Sequence, residues 1–194
     1  MADAATALAP IRALHPLDGR YHSGPGIALG SVPARTLIAL HLSEPAFEPV
    51  GRALGFDLPR RPKASTATDG IAALWLGPDD VMLVSEATGD DAAAELIAKI
   101  EASGTAEQSP VDVSDRFVAI SLEGPAAEAV LAAGCPRDLR LATFPVGAVT
   151  RTVFSRAEIT VWRRGETHFE VFCGRSFADY LWEYFVDASR SPAV

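Results

Sequence analysis

The chain has 194 residues, of which 48% are hydrophobic and 22% charged, proportions that are ordinary for a soluble globular protein. This length suits one domain, or two small lobes that share a core. The net charge of −8 argues against nucleic acid as a partner, because proteins that bind a phosphate backbone present a basic patch or stripe. We also expect no membrane-spanning helix, since no apolar run approaches roughly 18 residues.

The N-terminus and the cysteines indicate a reduced compartment. The first ten residues lack a positive start and an uninterrupted apolar core, so we expect no secretory signal. Cys135 and Cys173 provide neither a disulfide framework nor a zinc-binding spacing. The sequence therefore predicts a cytoplasmic protein.

Residues 1–31 are rich in proline, glycine and alanine, and we predict an extended N-terminal arm without a long helix or a central strand. Two interpretations stay open: a disordered tail, or an arm that drapes over a neighbouring subunit. The second is supported by apolar side chains that are too many for a solvated tail, among them Leu17 and Tyr21.

Residues 32–104 form a first predicted αβ unit. The unit contains an apolar strand, a helix that ends at a glycine, a tryptophan-bearing hairpin and a second helix. These elements are Thr36–Ser43, Ala46–Leu54, Ile71–Ser85 and Asp90–Glu101. A polar linker from Glu101 to Ser109 follows.

Residues 105–194 repeat the same order of elements, namely strand, helix, tryptophan hairpin and helix. They are Phe117–Leu122, Ala126–Ala133, Ala157–Cys173 and Phe177–Ala188. Two Asp-Leu pairs, at Asp57 and Asp138, lie 81 residues apart, and the hairpin tryptophans Trp75 and Trp162 lie 87 apart. The sequence therefore predicts an α+β fold of two similar βαββα-like units, an antiparallel sheet with helices packed on one face, and one compact two-lobed domain.

The last predicted helix carries aromatic residues at steps of three and four. Phe177, Tyr180 and Tyr184 belong to this stripe, and the periodicity predicts that it faces the core. Ser176 is a candidate N-cap, with Asp179 as its acidic partner three residues later.

Few residues of the sequence are candidates for catalysis or for binding a metal or cofactor. The histidines lack a metal-binding spacing, the strand-to-helix joints lack a Gly-rich phosphate fingerprint, and no serine or cysteine lies in a nucleophile motif, so we predict no catalytic, cofactor or metal site. Asp112 and Asp115 flank Ser114 before a strand. They are candidates for acid–base work or coordination, although local turn bonding explains them as well.

Arginines mark the ends of several predicted elements. Arg116, Arg151 and Arg175 each adjoin a strand or helix end, and we interpret them as internal or interfacial salt-bridge residues rather than ligand-binding residues. The pair Arg163-Arg164 lies at a hairpin turn, where we expect a solvated surface.

A set of motifs in fixed order provides a more specific signal. The second half carries them as Val111–Arg116, Gly124-Pro125, Gly134–Leu139, Phe144–Gly147, Thr150–Thr152 and Arg175–Trp182, and Leu74–Asp79 extends the set into the first half. Together they resemble the gamma-subunit family of heterotetrameric sarcosine oxidase.

The resemblance implies a fold related to the folate-binding domain of the glycine-cleavage T-protein family. It also implies a complex with alpha, beta and delta subunits that oxidises sarcosine to glycine, yielding formaldehyde or methylenetetrahydrofolate and hydrogen peroxide. FAD, FMN, NAD, tetrahydrofolate and zinc are then expected on the partner subunits and none on this chain. Its expected role is non-catalytic and stabilising, with docking on the alpha subunit.

The resemblance transfers motif positions rather than catalytic roles. The candidate structural or interface residues are Asp115, Arg116, Arg151, Arg175, Phe177, Tyr180 and Trp182. Three alternatives stay open: a stand-alone folate-binding one-carbon transferase that engages the pterin through Asp112 or Asp115, the equivalent subunit of an N-methylglutamate dehydrogenase, and a free-standing adaptor.

Overall fold

The computed structural model describes residues 15–89 and 91–191. The strands of this part of the chain are β1 (Tyr21–Gly24), β2 (Ile27–Ser31), β3 (Thr36–Leu42), β4 (Ser65–Thr68), β5 (Ile71–Trp75), β6 (Asp80–Ser85), β7 (Gln108–Asp112), β8 (Phe117–Glu123), β9 (Val149–Phe154), β10 (Ala157–Gly165) and β11 (His168–Gly174). The helices are α1 (Phe47–Leu54), α2 (Ala92–Glu101), α3 (Ala127–Ala132) and α4 (Ala178–Ser189). Short 3-10 turns at Glu44–Ala46 and Arg175–Phe177 precede α1 and α4.

The strands form two antiparallel sheets. The first sheet has the order β4-β5-β6-β3-β7, and the second sheet has the order β1-β2-β8-β11-β10-β9. Read from β9 inward, the second sheet repeats the strand order of the first, with β10, β11, β8 and β2 in the places of β5, β6, β3 and β7. The predicted α+β fold and its duplicated order of elements are thus confirmed.

The sheets pack against each other and carry the helices on their outer faces. In β3, Ile38 and Leu40 pack with α1 and α2, whereas Leu37 points into a cluster between the sheets. This inter-sheet core also contains Trp162 and Phe172 of the second sheet, whose other face packs with α3 and α4. Because central strands are buried on both faces, they appear in the sequence as continuous apolar runs.

Each half of the chain contributes strands to the sheet of the other. β2 precedes the first unit but pairs with β8 of the second, in register from Ala28 opposite Glu123 to Ser31 opposite Ile120. β7 lies at the start of the second unit but pairs with β3 of the first. The predicted linker therefore ends earlier than Ser109, because the chain from Gln108 onward completes the first sheet.

The prediction of an extended arm without a central strand is wrong for Tyr21–Ser31, which forms the β1–β2 hairpin and gives the second sheet its inner strand β2. The physical reason is that the glycines form a turn, with Gly26 at a φ of 69°. Alternate residues Ile27 and Leu29 are buried against the helix side of the sheet. Residues 1–14 lie outside the described residues.

Helix α4 confirms only part of the predicted aromatic stripe. Leu181 and Phe185 are fully buried, but Phe177 and Tyr180 are 40% and 39% exposed. The core-facing stripe is shifted toward Trp182, which is buried. The predicted cap at Ser176 is also wrong, because no side chain caps the helix, which continues from the preceding 3-10 turn.

Gly124 lies between β8 and α3 in the chain and packs closely against the turn of the β1–β2 hairpin. Its φ is +129°, a conformation that side chains rarely adopt, and a Cβ there would overlap the carbonyl oxygen of Gly26. The same carbonyl accepts a 3.0 Å hydrogen bond from the amide of Ala126. The close approach at this joint therefore requires glycine.

We expect Gly124→Ala to lower the free energy of unfolding by about 2–4 kcal/mol, because backbone strain and steric overlap add. Gly70→Ala is the control for strain alone, since Gly70 has a φ of +74° with open space around it, and we expect a loss of about 1 kcal/mol. Gly30→Ala, which meets neither obstacle, should change stability by less than about 0.5 kcal/mol. Urea unfolding of the three variants ranks their losses of stability. Equal unfolding midpoints would show that the close approach of Gly124 to Gly26 does not require glycine.

Candidate functional site

A cleft of about 1040 Å³ opens between the two sheets where the inter-sheet core ends. Ala39 and Met82 of the first sheet line it, together with Thr160 and Phe172 of the second. Met82 and Phe172 also belong to the inter-sheet core. The cleft is thus an extension of the gap between the sheets, left open because the two sheets do not cover each other completely.

The cleft is rich in arginine. Arg116, Arg151, Arg156 and Arg175 line it, and Glu158 is the one carboxylate among the lining residues. The chain as a whole carries a net charge of −8, so the positive charge in this cleft is a local concentration against the overall balance. Arginine guanidinium groups bind carboxylates and phosphates through paired hydrogen bonds, which makes the cleft a candidate site for anionic groups.

The ladder between β9 and β10 places two of these charges. Arg151 lies opposite Thr160, and Glu158 lies opposite Val153. Directly opposed residues of an antiparallel pair share a face, and Thr160 lines the cleft, so the same face carries Arg151. Arg156 lies in the turn that connects the two strands.

Two further arginines meet because β8 and β11 are neighbours. Phe117 lies opposite Gly174 at the end of this pair, and one step beyond it the amide of Arg175 donates a 2.9 Å hydrogen bond to the carbonyl of Arg116. The guanidinium of Arg116 lies 5.5 Å from the centre of the Phe117 ring. The second half of the chain thus brings together arginines that are 59 residues apart in sequence.

A smaller pocket of about 90 Å³ adjoins the cleft and shares Arg175 with it. Asp115 and Ser114 line this pocket. The carboxylate of Asp112 accepts hydrogen bonds from the amide and the hydroxyl of Ser114, at 2.9 and 2.6 Å, while that hydroxyl accepts one from the amide of Leu37. Local turn bonding is therefore the correct interpretation of Asp112.

The structure brings most of the predicted site residues to one region. Arg116, Arg151, Arg175 and Phe177 line the cleft, and Asp115 lines the adjoining pocket. Tyr180 lies beyond the cleft and donates a 2.9 Å hydrogen bond to Ser155, whereas Trp182 is buried in the helix-side core of the second sheet. Sequence reasoning missed Arg156 and Glu158, whose only signal was their position next to the start of a predicted hairpin, Arg156 directly before it and Glu158 within it.

The expectation of a solvated Arg163 is wrong. Its side chain is fully buried, donates hydrogen bonds to the carbonyl oxygens of Leu139 and Glu166, and lies 3.2 Å from the Glu128 carboxylate. Its guanidinium also stacks 4.2 Å from the centre of the Phe169 ring. The residue ties the Asp-Leu loop of the second unit to the β10–β11 hairpin.

In the described residues, pKa values are shifted at four groups, His15, Asp138, Arg140 and Cys173. Burial lowers the pKa of His15, and the positive charge of Arg175 lowers it further, against a smaller opposite effect of Asp18. Hydrogen bonds from Arg140 hold the pKa of Asp138 well below its usual range. Burial raises the pKa of the Cys173 thiol to about 12, which is the opposite of what a nucleophilic cysteine needs.

Within residues 15–89 and 91–191, no three His, Cys, Asp or Glu side chains converge as a metal-binding group. In the same part of the chain, no helix is long and apolar enough to cross a membrane.

Comparison with known families identifies the chain. The model of the sarcosine oxidase gamma subunit family matches residues 41–191. The chain belongs to the sarcosine oxidase gamma subunit family. The matched range begins inside β3, so it contains the cleft arginines but leaves out the β1–β2 hairpin.

Individual relatives agree with the family. Sarcosine oxidase subunit gamma of Corynebacterium sp. (strain P-1) is 32% identical over 143 residues, which are 73% of this chain and 68% of that protein. The subunit gamma of an Arthrobacter species is 33% identical over 146 residues, covering 73% and 70%. A chain in the structure of heterotetrameric sarcosine oxidase from Corynebacterium sp. U-96 with pyrrole 2-carboxylate superposes with a TM-score of 0.77 and 26% identity, covering 87% of this chain and 88% of that one.

The expected relation to the T-protein fold is also confirmed. The aminomethyltransferase T of the glycine cleavage system from Bartonella henselae superposes with a TM-score of 0.59 over 86% of this chain and 47% of that protein. The two share 22% identity, so the likeness concerns the fold.

We expect Arg163→Met to lower the free energy of unfolding by at least about 2 kcal/mol, because it leaves two carbonyl acceptors without their buried donor. Arg61→Met is the matched control, since that side chain is exposed and forms no ion pair with the described residues, and it should cost less than about 0.5 kcal/mol. Chemical denaturation followed by far-UV circular dichroism compares them. Similar losses for the two variants would show that burial of Arg163 does not stabilise the fold.

We expect Cys173 to resist thiol reagents in the folded protein at pH 8, because a pKa of about 12 leaves only about one thiol in ten thousand ionised. The Cys135→Ala variant isolates this thiol, and its reaction with Ellman's reagent should become fast only in denaturant. Rapid labelling of the native variant would contradict the inert assignment.

Proposed function

We propose that the chain is the gamma subunit of a heterotetrameric sarcosine oxidase and that its role there is structural rather than catalytic. The observation that carries this proposal is the superposition on a chain of the Corynebacterium sp. U-96 complex over nearly the full length of both chains. This likeness in fold supports the same place in an assembly.

The proposed partners are the alpha, beta and delta subunits, with docking on the folate-binding part of alpha. FAD, FMN, NAD, tetrahydrofolate and zinc then belong to the partners, which oxidise sarcosine to glycine and release formaldehyde or methylenetetrahydrofolate and hydrogen peroxide. Exposed aromatic side chains support a docking role, because aromatic residues are enriched at protein interfaces. Phe177 and Tyr180 are such residues, and both lie on predicted interface positions.

A folate-binding one-carbon transferase is the second candidate, favoured by the T-protein fold. Asp112 and Asp115 do not suit it, because Asp112 is engaged by Ser114 and Asp115 lines a pocket of only about 90 Å³. Ligand pockets for molecules of drug size are typically about 300–1,000 Å³. Calorimetry decides between the two: micromolar binding of tetrahydrofolate by the isolated chain would favour the transferase.

We expect the chain, when expressed together with alpha, beta and delta subunits from the same source, to elute with them in one particle on size-exclusion chromatography. Pairwise pull-downs should then show alpha as the direct partner. Sarcosine-dependent peroxide release should fall when the chain is omitted, while N-methylglutamate should support little oxidation by the complete particle. Absence from the particle, with full sarcosine oxidation by the other three subunits, would overturn the proposal.

A further inference from the structure

We infer that the arginine cleft between the sheets, together with the aromatic side chains beside it, binds an acidic segment of a partner subunit. This inference rests on the proposed function, because it names where on this chain a partner of the oxidase docks. The aromatic side chains are Phe177, Tyr180 and Tyr184, and we refer to them as the aromatic rim.

Most arginines outside the cleft are paired within the chain. In the described ranges, eight of them form ion pairs with carboxylates, namely Arg20, Arg35, Arg52, Arg60, Arg140, Arg163, Arg164 and Arg190, whereas Arg61 and Arg137 form none. Within residues 15–89 and 91–191, no ion pair within 4.0 Å engages Arg116, Arg151 or Arg156. A chain with excess acidic residues thus leaves three clustered guanidinium groups without a carboxylate, which is the arrangement that an external carboxylate would complete.

The positive potential also acts on a neighbouring titratable group. Burial lowers the pKa of His15, which lines the adjoining small pocket, and the charge of Arg175 lowers it further. Asp18 acts on the same histidine in the opposite direction with the smaller effect. The charge of Arg175 thus disfavours a second positive charge at His15, which agrees with a site for acidic side chains.

The size and lining of the cleft fit a chain segment. Its volume of about 1040 Å³ is at the upper end of the range for small-molecule pockets. Met82, Ile159 and Phe172 supply apolar surface, while the arginines supply charge, so the cleft offers both kinds of contact that a peptide makes. Glu158 is the one lining group that would repel an acidic segment.

The aromatic rim continues the cleft over the surface of α4. Phe177 lines the cleft, and the centre of its ring lies 6.4 Å from the centre of the Tyr180 ring. The centres of the Tyr180 and Tyr184 rings are 6.1 Å apart. The ring of Tyr184 packs edge-to-face on the fully buried Phe154, with 4.8 Å between the ring centres. The exposed rings are therefore held by a packed base, and rigid aromatic anchors of this kind dominate binding energy at protein interfaces.

The first experiment measures binding of the purified chain to the particle formed by the other three subunits. Arg151→Gln with Arg156→Gln should weaken binding about tenfold and reduce its salt dependence, because two charge contacts are lost. Arg52→Gln with Arg61→Gln is the matched control, with the same charge change at exposed positions outside the cleft, and should bind like the unmodified chain. Thermal unfolding of both double variants shows that they remain folded.

The outcomes separate this inference from the proposed function. If the unmodified chain does not bind the particle, the proposed function fails. If the unmodified chain binds and the two double variants bind equally well, the proposed function stands and the cleft inference is wrong. Phe177→Ala tests the rim in the same assay, and we expect a loss of about tenfold.

A second experiment identifies the occupant. Arg151→Lys keeps the positive charge and provides an amine that carbodiimide couples to a carboxylate in direct contact. Mass spectrometry should find Lys–Asp or Lys–Glu cross-links from position 151 to an acidic run of one partner subunit, and none from Arg61→Lys as the control. Equal cross-linking from both positions would overturn the inference, as would nucleic acid that co-purifies with the chain and is displaced by the Arg151 and Arg156 changes.

Discussion

Strand β2 hydrogen-bonds to β8 and strand β7 hydrogen-bonds to β3, so each half of the chain completes the sheet of the other. This exchange holds the two sheets face to face and creates the core between them, which contains Leu37, Trp162 and Phe172. Neither half completes its own sheet or covers both of its faces, because the strands β2 and β7 and the opposite sheet come from the other half. The duplicated units therefore form one packed body rather than two independent lobes.

The cleft is a consequence of the same packing. The inter-sheet core fills one part of the gap with large side chains, whereas small Ala39 and polar Thr160 and Arg151 line the part that stays open. Neighbouring strands β8 and β11 then bring Arg116 and Arg175 to its mouth. Residues that the family motif marks in sequence thus become one surface only because the second sheet orders β8, β11, β10 and β9 side by side.

Buried hydrogen bonds and ion pairs stabilise the loops next to the second sheet. Arg163 anchors the loop at Leu139 to the β10–β11 turn, and Arg35 pairs with the buried Glu170 at 2.5 Å. Removing one member of such a pair leaves a buried charge or carbonyl without a partner, which costs far more than an exposed ion pair contributes. Both contacts therefore tie loops outside the second sheet to its strands β10 and β11.

The α+β class, the repeated order of elements, the Gly55 helix end and the family could be predicted from the sequence, because apolar periodicity, turn residues and ordered motifs are local properties. The hairpin that Tyr21–Ser31 adds to the second sheet, the burial of Arg163 and the exposure of Phe177 became evident only in the fold. Strand partners and the face that meets solvent depend on contacts between distant residues, and one helical step or one strand position moves a side chain from core to surface. The sequence singled out Arg116, Arg151 and Arg175 individually, but only the fold brings them together in one cleft.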